Sequence, residues 1–130
     1  MKILILSVFL ILTSMGNVFA EPITAQVSSQ EKIHFVNEQI MIMADISNNQ
    51  DVQQNFAYIT QVKNDDDVVI SLSWLTGSLS PRQSFSPAQS WISHESGNYH
   101  IQVFVLESID NPEALSPPLF MILNVHEIRS

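Results

Sequence analysis

The sequence predicts a single all-β domain, folded as a Greek-key sandwich of about seven strands and preceded by a short apolar segment. Apolar and polar residues alternate with a period of two along several stretches of the chain, as in half-buried strands. Turn-forming residues separate these stretches at the spacing of about 8–12 residues that is typical of sandwich folds. No long stretch combines a period of about 3.6 residues with helix caps, and the one alternative is a small helical insert near residues 110–115.

The first 20 residues have the three parts of a signal peptide. Lys2 supplies the basic part, residues 3–12 form an apolar run, and Val18 and Ala20 stand at the −3 and −1 positions of a cleavage site. The apolar run is about half of the roughly 20 residues that a membrane-spanning helix needs, so an uncleaved anchor is the less favoured alternative.

This pattern predicts the domain boundaries and the location of the protein. We expect a cleaved signal peptide over residues 1–20 and a β-sandwich domain over residues 21–130, with no transmembrane segment after cleavage. The protein is then secreted or extracytoplasmic, with association to the cell surface as one form of that location.

The composition of residues 21–130 excludes several classes of protein. These 110 residues suffice for one domain that buries a core without metal or disulfide staples. The absence of cysteine excludes disulfides, thiol nucleophiles and cysteine-ligated metals. Loss of Lys2 with the signal peptide takes the formal net charge from −8 to −9, which excludes nucleic acid as a partner and disfavours an anionic membrane surface. Cationic or neutral partners are expected instead.

Two strands are predicted in the first part of the domain. Residues 23–29 can form the first strand. Residues 39–47 alternate strictly, and four apolar side chains share one face: Ile40, Ile42, Ala44 and Ile46. Residues 48–51 (NNQD) are turn formers that end this strand.

The middle of the domain is predicted to contain a hairpin. Residues 56–62 alternate, with one face made by Phe56, Tyr58, Thr60 and Val62. Residues 64–67 (NDDD) form the turn into a strand over residues 68–75. Pro81 and Pro87 bracket a segment with poor strand competence, because proline cannot donate a hydrogen bond to a neighbouring strand.

Two further strands are predicted to complete the domain. Residues 97–108 show the strongest alternation, with one face made by Tyr99, Ile101, Val103 and Val105. Residues 110–118 (DNPEALSPP) form a long turn, and residues 119–128 form the last strand.

Three short motifs stand along this pattern. Residues 39–47 are followed by Asn48, residues 68–74 end in Trp74, and Trp91 is followed by the run 96–99 (SGNY) at the start of an alternating strand. Together they resemble the immunoglobulin-like modules of secreted and cell-surface proteins, especially the CARDB-like adhesion-related domains of archaea and bacteria. The resemblance implies an immunoglobulin-like sandwich in which Gly97 makes a turn and the hydroxyl of Tyr99 caps nearby backbone. The chain departs from true immunoglobulin domains because it lacks the disulfide between the sheets.

The two tryptophans are assigned structural roles, together with Gly97 and Tyr99. Trp74 and Trp91 each stand at a strand position, so burial in the core is expected for both. The alternative is an exposed tryptophan on which a sugar ring could stack.

Two groups of residues are candidate metal ligands. Asp65, Asp66 and Asp67 offer the oxygen ligands that calcium prefers, but their spacing is not that of an EF-hand, and a solvated hairpin turn is the favoured interpretation. Thioether and imidazole groups bind copper, and Met41 and Met43 share a strand face with His34 near in sequence, although methionine more often fills apolar gaps. No metal or other cofactor is therefore assigned.

The expected function is binding without catalysis. Serine is abundant between residues 71 and 90, but no serine lies in a G-x-S-x-G nucleophile elbow, so no catalytic residue is assigned. We expect a secreted or cell-surface module that mediates protein binding or adhesion or supports the envelope, with another envelope or extracellular macromolecule as its partner. The competing function is an extracytoplasmic carrier of a small ligand or of a metal, calcium or copper. Partner identity and oligomeric state stay open at this point.

The first testable prediction is cleavage between Ala20 and Glu21. Pro22 stands at the second position after the cleaved bond, where it does not block the peptidase. Intact-mass spectrometry of the exported protein should give a chain that begins at Glu21. A full-length species extracted from membranes would contradict both the cleavage and the location.

Overall fold

Nine strands in two sheets make up the protein in the computed structural model, which describes residues 21–28 and 33–128. The predicted signal peptide lies outside these residues. The strands are β1 (Ile23–Val27), β2 (His34–Phe35), β3 (Gln39–Asn48), β4 (Gln54–Lys63), β5 (Val69–Leu79), β6 (Ser84–Phe85), β7 (Ala88–Ile92), β8 (Gly97–Leu106) and β9 (Leu119–His126). The described residues include no helix that is long and apolar enough to cross a membrane. The all-β class is confirmed.

The two sheets differ in size and pairing. In sheet 1, β3 pairs antiparallel with β1 on one side and with β6 and β7 along successive segments. In sheet 2 the strand order is β2-β9-β8-β4-β5. The short β2 pairs parallel with β9, and every other pairing in sheet 2 is antiparallel. This order makes β2 and β5 the two edges of sheet 2.

The core lies between the sheets and is built by the period-two alternation. On β3 the predicted apolar face is buried, with every second side chain from Ile40 to Ile46 at most 1% exposed. On β8 the predicted face from Tyr99 to Val105 is buried in the same way. Successive side chains of a strand point to opposite faces of its sheet, so these two strands supply the facing layers of one core.

Two segments without long strands test the sequence predictions, one with agreement and one with a difference. The segment between Pro81 and Pro87 carries only the two-residue β6, as its proline content predicted. The alternative of a helical insert at residues 110–115 is wrong, because Ala114 forms an isolated antiparallel bridge with Leu106. Backbone hydrogen bonds from Glu107 and Ser108 close the turn that connects Leu106 to Ala114.

A buried asparagine joins the end of β3 to the end of β5. Asn48 was predicted to lie in a turn, but it is the last residue of β3 and only 1% exposed. Its side-chain amide donates to three backbone carbonyls, those of Val52 at 2.8 Å, Leu79 at 3.3 Å and Ser80 at 3.1 Å. Its carbonyl oxygen Oδ1 accepts from the backbone N–H of Gln50 at 3.1 Å. These bonds anchor the crossing from sheet 1 to sheet 2.

A tyrosine forms the second anchor, where the chain enters β8. The hydroxyl of Tyr99 donates to the backbone carbonyl of Glu95 at 2.6 Å and lies 2.8 Å from Ser93 Oγ. The Trp91 ring packs edge-on against the Tyr99 ring, with centroids 4.8 Å apart. Gly97 has a φ of 144°, a backbone conformation that side chains with a Cβ rarely adopt. The Tyr99 hydroxyl thus bonds to nearby backbone, as the sequence resemblance implied, while Gly97 is the first residue of β8 rather than part of the turn.

Replacing Tyr99 by phenylalanine should lower the free energy of unfolding by about 1 kcal/mol, because it removes the hydroxyl that pairs with the Glu95 carbonyl. Tyr58→Phe is the matched control, since no hydrogen bond of normal geometry joins the buried Tyr58 hydroxyl to another described residue. The control should leave stability unchanged or raise it. Urea unfolding of both variants measures the difference, and an equal loss in both would contradict a specific role for the Tyr99 hydroxyl.

Candidate functional site

The outer face of sheet 2 carries an exposed apolar surface that spans four strands. Residues directly opposite on neighbouring strands lie on the same face of a sheet, so the strand register shows which side chains belong together. We call six of the apolar side chains on this face the apolar outer face: Ile59, Leu72, Trp74, Phe104, Phe120 and Ile122. Four of them are more than half exposed: Leu72 at 52%, Trp74 at 60%, Phe120 at 65% and Ile122 at 63%.

The apolar outer face is arranged in rows across the strands. Trp74 on β5 stands level with Ile59 on β4 and Phe104 on β8. In the next row Leu72 and Phe120 lie at the two ends, with Gln61 and Gln102 between them. Three strand spacings of about 4.8 Å separate β5 from β9, so these rows are about 14 Å wide. The face is broad and flat rather than a closed cleft.

A single polar contact crosses the middle of this surface. Gln61 Nε2 donates to Gln102 Oε1 at 2.8 Å, so part of each amide's hydrogen-bonding capacity is already satisfied within the protein. The remaining donors and acceptors of the two amides lie on the half-buried surface between Leu72 and Phe120. The surface therefore offers a few polar groups within a mainly apolar area.

Charged residues collect at one end of the face. Lys63 Nζ lies 3.3 Å from Asp67 Oδ1, and His100 Nε2 lies 3.5 Å from Asp65 Oδ1. Lys63 and His100 are opposite each other on β4 and β8, one row beyond the glutamines. A shallow recess of about 290 Å³ lies here, between these charged groups and Phe120. The apolar area thus has a mixed-charge rim at this end.

The acidic turn of Asp65, Asp66 and Asp67 is held by local hydrogen bonds. Asn64 Oδ1 accepts from the backbone N–H groups of Asp66 at 2.9 Å and Val68 at 3.0 Å. The carboxylates of Asp65 and Asp67 contact different side chains, those of His100 and Lys63. Within residues 21–28 and 33–128, no three histidine, aspartate or glutamate side chains are grouped closely enough to hold a metal ion.

The candidate copper ligands lie on different sheets. Met41 and Met43 lie on β3 of sheet 1, on the face opposite its buried residues. His34 lies on β2, the far edge of sheet 2, and its side chain is buried. The structure does not bring these three residues together.

Trp74 is not buried in the core, so that expectation is wrong. Tyr58 and Thr60 face the core, and their partners across the strand pair, Leu75 and Ser73, must face it too. Trp74 lies between these partners and therefore points to the opposite side, next to Ile59. Trp91, by contrast, packs against the core as a half-buried side chain.

Sequence reasoning missed the other exposed apolar residues. Residues 119–123 (LFMIL) are apolar at every position, which is a signal that both faces of β9 carry apolar side chains. Leu119, Met121 and Leu123 fill the core side, and Phe120 and Ile122 are left on the outer face. A strand without polar alternation, in a domain for which the sequence predicts no long helix to cover it, could have indicated this surface.

The described residues offer no evident catalytic constellation. None of the serine hydroxyls in residues 21–28 and 33–128 is hydrogen-bonded to a histidine. Burial raises the pKa of Tyr58 to about 12, so its hydroxyl stays protonated and neutral in the core.

Comparison with known proteins supports the fold and leaves the function open. No family model matches the chain, and no curated protein is similar to it in sequence. Among solved structures, a β-glucuronidase from glycoside hydrolase family 2 matches with a TM-score of 0.60 and 15% identity. The match covers 84% of this chain and 12% of the β-glucuronidase.

A second structure matches a whole domain. The ASH / PapD-like domain of human CEP192 matches with a TM-score of 0.51 and 12% identity, over 85% of this chain and 88% of that domain. These neighbours are immunoglobulin-like and PapD-like β-sandwich domains, so the fold is an immunoglobulin-like sandwich. At these identities the likeness concerns the fold alone.

The metal candidates lead to a prediction about thermal stability. A ligand that binds only the folded state raises the melting temperature, so adding calcium or copper near the protein's own concentration should shift melting by less than about 1 °C. Differential scanning calorimetry measures this, with Asp65→Asn/Asp66→Asn/Asp67→Asn as the matched variant. A stoichiometric rise of several degrees with calcium, lost in the triple variant, would show that the acidic turn is a site.

Proposed function

We propose that the protein is a secreted or cell-surface, non-enzymatic module that binds another protein through the apolar outer face of sheet 2. The observation that carries this proposal is the exposure of Leu72, Trp74, Phe120 and Ile122 on one side of one sheet. Contiguous exposed apolar surface with a polar rim is a mark of interaction sites in soluble proteins, since water contact with such a surface is unfavourable.

The chemistry of this face favours a protein as the partner. Aromatic anchors such as Trp74 and Phe120, surrounded by aliphatic side chains, are characteristic of the centre of protein interfaces. The mixed-charge rim of Lys63, His100 and the acidic turn is suited to a partner with both signs of charge at its border. The acidic net charge of the chain speaks against nucleic acid and anionic lipid as alternatives.

The proposed location and the absence of catalysis rest on other observations. The N-terminal segment has the composition of a signal peptide, which supports export and a partner in the envelope or outside the cell. A flat surface without an activated nucleophile or a paired acid and base supports binding rather than chemistry. Adhesion and envelope support are the two roles consistent with such a module.

Site-specific photo-crosslinking in the native envelope tests the docking face. Ile122→p-benzoylphenylalanine places the probe on the apolar outer face, and Gln26→p-benzoylphenylalanine places it on β1, on the exposed outer face of sheet 1. We expect a discrete protein adduct from position 122 and none from position 26. The adduct should fall at least tenfold when Trp74→Asp is introduced on the same face, three strands away from the probe.

Two results would contradict the proposal. Equal adducts from positions 26 and 122 would show nonspecific contact, and an adduct at position 122 that is insensitive to Trp74→Asp would show that the face does not act as one surface. Thermal melting of each variant verifies that the fold is retained, which the exposure of these side chains leads us to expect.

A further inference from the structure

The edge strand β5 lacks most of the features that keep free strand edges apart, and its one irregularity is a register shift at its first residues, where Ser71 pairs with Val62 and Val69 pairs with Lys63. It is 11 residues long and pairs with β4, and no other described strand pairs with its far side. Free edges expose unpaired N–H and C=O groups, and proteins protect them with charged residues, proline or short length. From Val69 to Leu79 the strand contains neither a charged residue nor a proline.

The other edges of the sandwich are protected. The opposite edge of sheet 2 is β2, which is only two residues long. On sheet 1, β1 is five residues long, and Pro87 separates the short β6 from β7. Among the described strands, β5 is therefore the long edge strand with the least protection against main-chain pairing with another strand.

We propose that β5 pairs antiparallel with β5 of a second copy of this chain, across a two-fold axis near Trp74. Trp74 is the middle residue of β5, so this register uses the whole length of both edges. A two-fold axis makes each copy contribute the same strand, and antiparallel pairing satisfies that symmetry. The proposal goes beyond the docking of another protein on the outer face and does not depend on it.

Charge at the ends of β5 selects the antiparallel direction. The turn of Asp65, Asp66 and Asp67 precedes β5, and Arg82 follows it with a side chain that is 64% exposed. With Trp74 opposite Trp74 of the other copy, the acidic turn that precedes β5 in one copy lies near the end of β5 that leads to Arg82 in the other copy. Parallel pairing would instead place the two acidic turns side by side, where like charges repel.

Arg82 can serve this contact without losing its present one. Its Nε donates to Asp51 Oδ1 at 2.9 Å within the same chain. The guanidinium carries four further N–H donors on its two terminal nitrogens, which remain for a carboxylate of the other copy. The contact lies in solvent, so its role is to set direction and register rather than to supply most of the affinity.

Pairing at β5 would also reduce the solvent exposure of the Leu72 and Trp74 side chains. The two five-stranded sheets would join into one ten-stranded sheet, and the exposed Leu72 and Trp74 side chains would pack beside Thr76 and Trp74 of the other copy. The acidic net charge of each copy opposes association. We therefore expect a reversible dimer with a dissociation constant on the order of 10 μM.

Sedimentation equilibrium tests the dimer. The protein is expressed from its full sequence and purified in the form that the cell produces after any processing. We expect a monomer–dimer equilibrium between about 1 and 300 μM. Leu72→Lys puts a charge on the edge strand and should weaken the dimer at least tenfold. Two control variants should change the dissociation constant of the dimer by no more than about twofold. They are Phe120→Lys, on the same face but on β9, and Glu38→Arg, beside the opposite edge of sheet 2.

A charge-exchange cycle tests the register. Asp66→Arg alone and Arg82→Glu alone each place like charges near each other, so each should weaken the dimer about threefold to tenfold. The double variant restores opposite charges and should return to within about threefold of the original constant. Failure of the double variant to recover would overturn the register centred on Trp74.

The remaining outcomes separate this dimer from the proposed docking function. A monomer at every concentration overturns the dimer, and so does a dimer that Phe120→Lys breaks and Leu72→Lys does not. Neither result touches the crosslink from position 122, which lies three strands away from the β5 edge. Conversely, loss of that crosslink in a protein that still dimerises would overturn the docking function alone.

Discussion

Burial between two sheets covers one face of each sheet, and this constraint decides which surfaces of the molecule are left for function. Antiparallel sheets of this kind commonly turn a polar face to water. Sheet 1 follows that rule between β1 and β3, where Thr24, Gln26, Asp45 and Ser47 lie on its outer side, whereas Met41 and Ile92 are exposed apolar side chains between β3 and β7. Sheet 2 departs from the rule further, because Leu72, Trp74, Phe120 and Ile122 on its outer side are each more than half exposed. The large apolar side chains are thus more exposed on the outer side of sheet 2 than on that of sheet 1, which agrees with the proposed docking on sheet 2.

The rigidity of that surface is provided by polar groups inside the fold. Asn48 is bonded to the backbone at Leu79 and Ser80, which links the end of β3 to the end of β5. Tyr99 closes the turn that leads into β8. Each buried polar group would cost about 1–3 kcal/mol if left unpaired, so these bonds hold the sheet crossings in one arrangement. The outer face of sheet 2 is thereby presented by strands whose ends are fixed, and a partner would meet a preformed surface.

The core could be predicted from the sequence because, in its main strands, the alternation of apolar and polar residues identifies one face as the buried face. On β3 and β8 one face is apolar and the other is mainly polar, so the buried side chains were identified correctly. On β5 the choice between faces depends on the neighbouring strand. Serines at 71 and 73 alternate with Leu72 and Trp74, and composition alone favours the tryptophan inside. Pairing with β4 instead places Trp74 on the outer face. Tyr58 and Thr60 face the core, so the β5 residues paired with them must face the core too. The site was missed for that reason: its position depends on register, which no single strand encodes.

The reversal on β5 has a consequence for how the two proposed surfaces act together. The inner side of this strand is polar at Ser71 and Ser73, with Ser73 Oγ donating to Gln89 Oε1 of β7 at 2.7 Å, and it packs apolar side chains in the core only at Leu75 and Leu79. The apolar side chains of Leu72 and Trp74 lie on the outside and belong to both the free edge and the docking face. Pairing of two copies would place two docking faces side by side on one continuous sheet. A partner long enough to contact both would bind the second face at a high effective concentration, because the first contact has already brought it close. Dimer formation and partner binding would then strengthen each other, since each is favoured when the other has occurred.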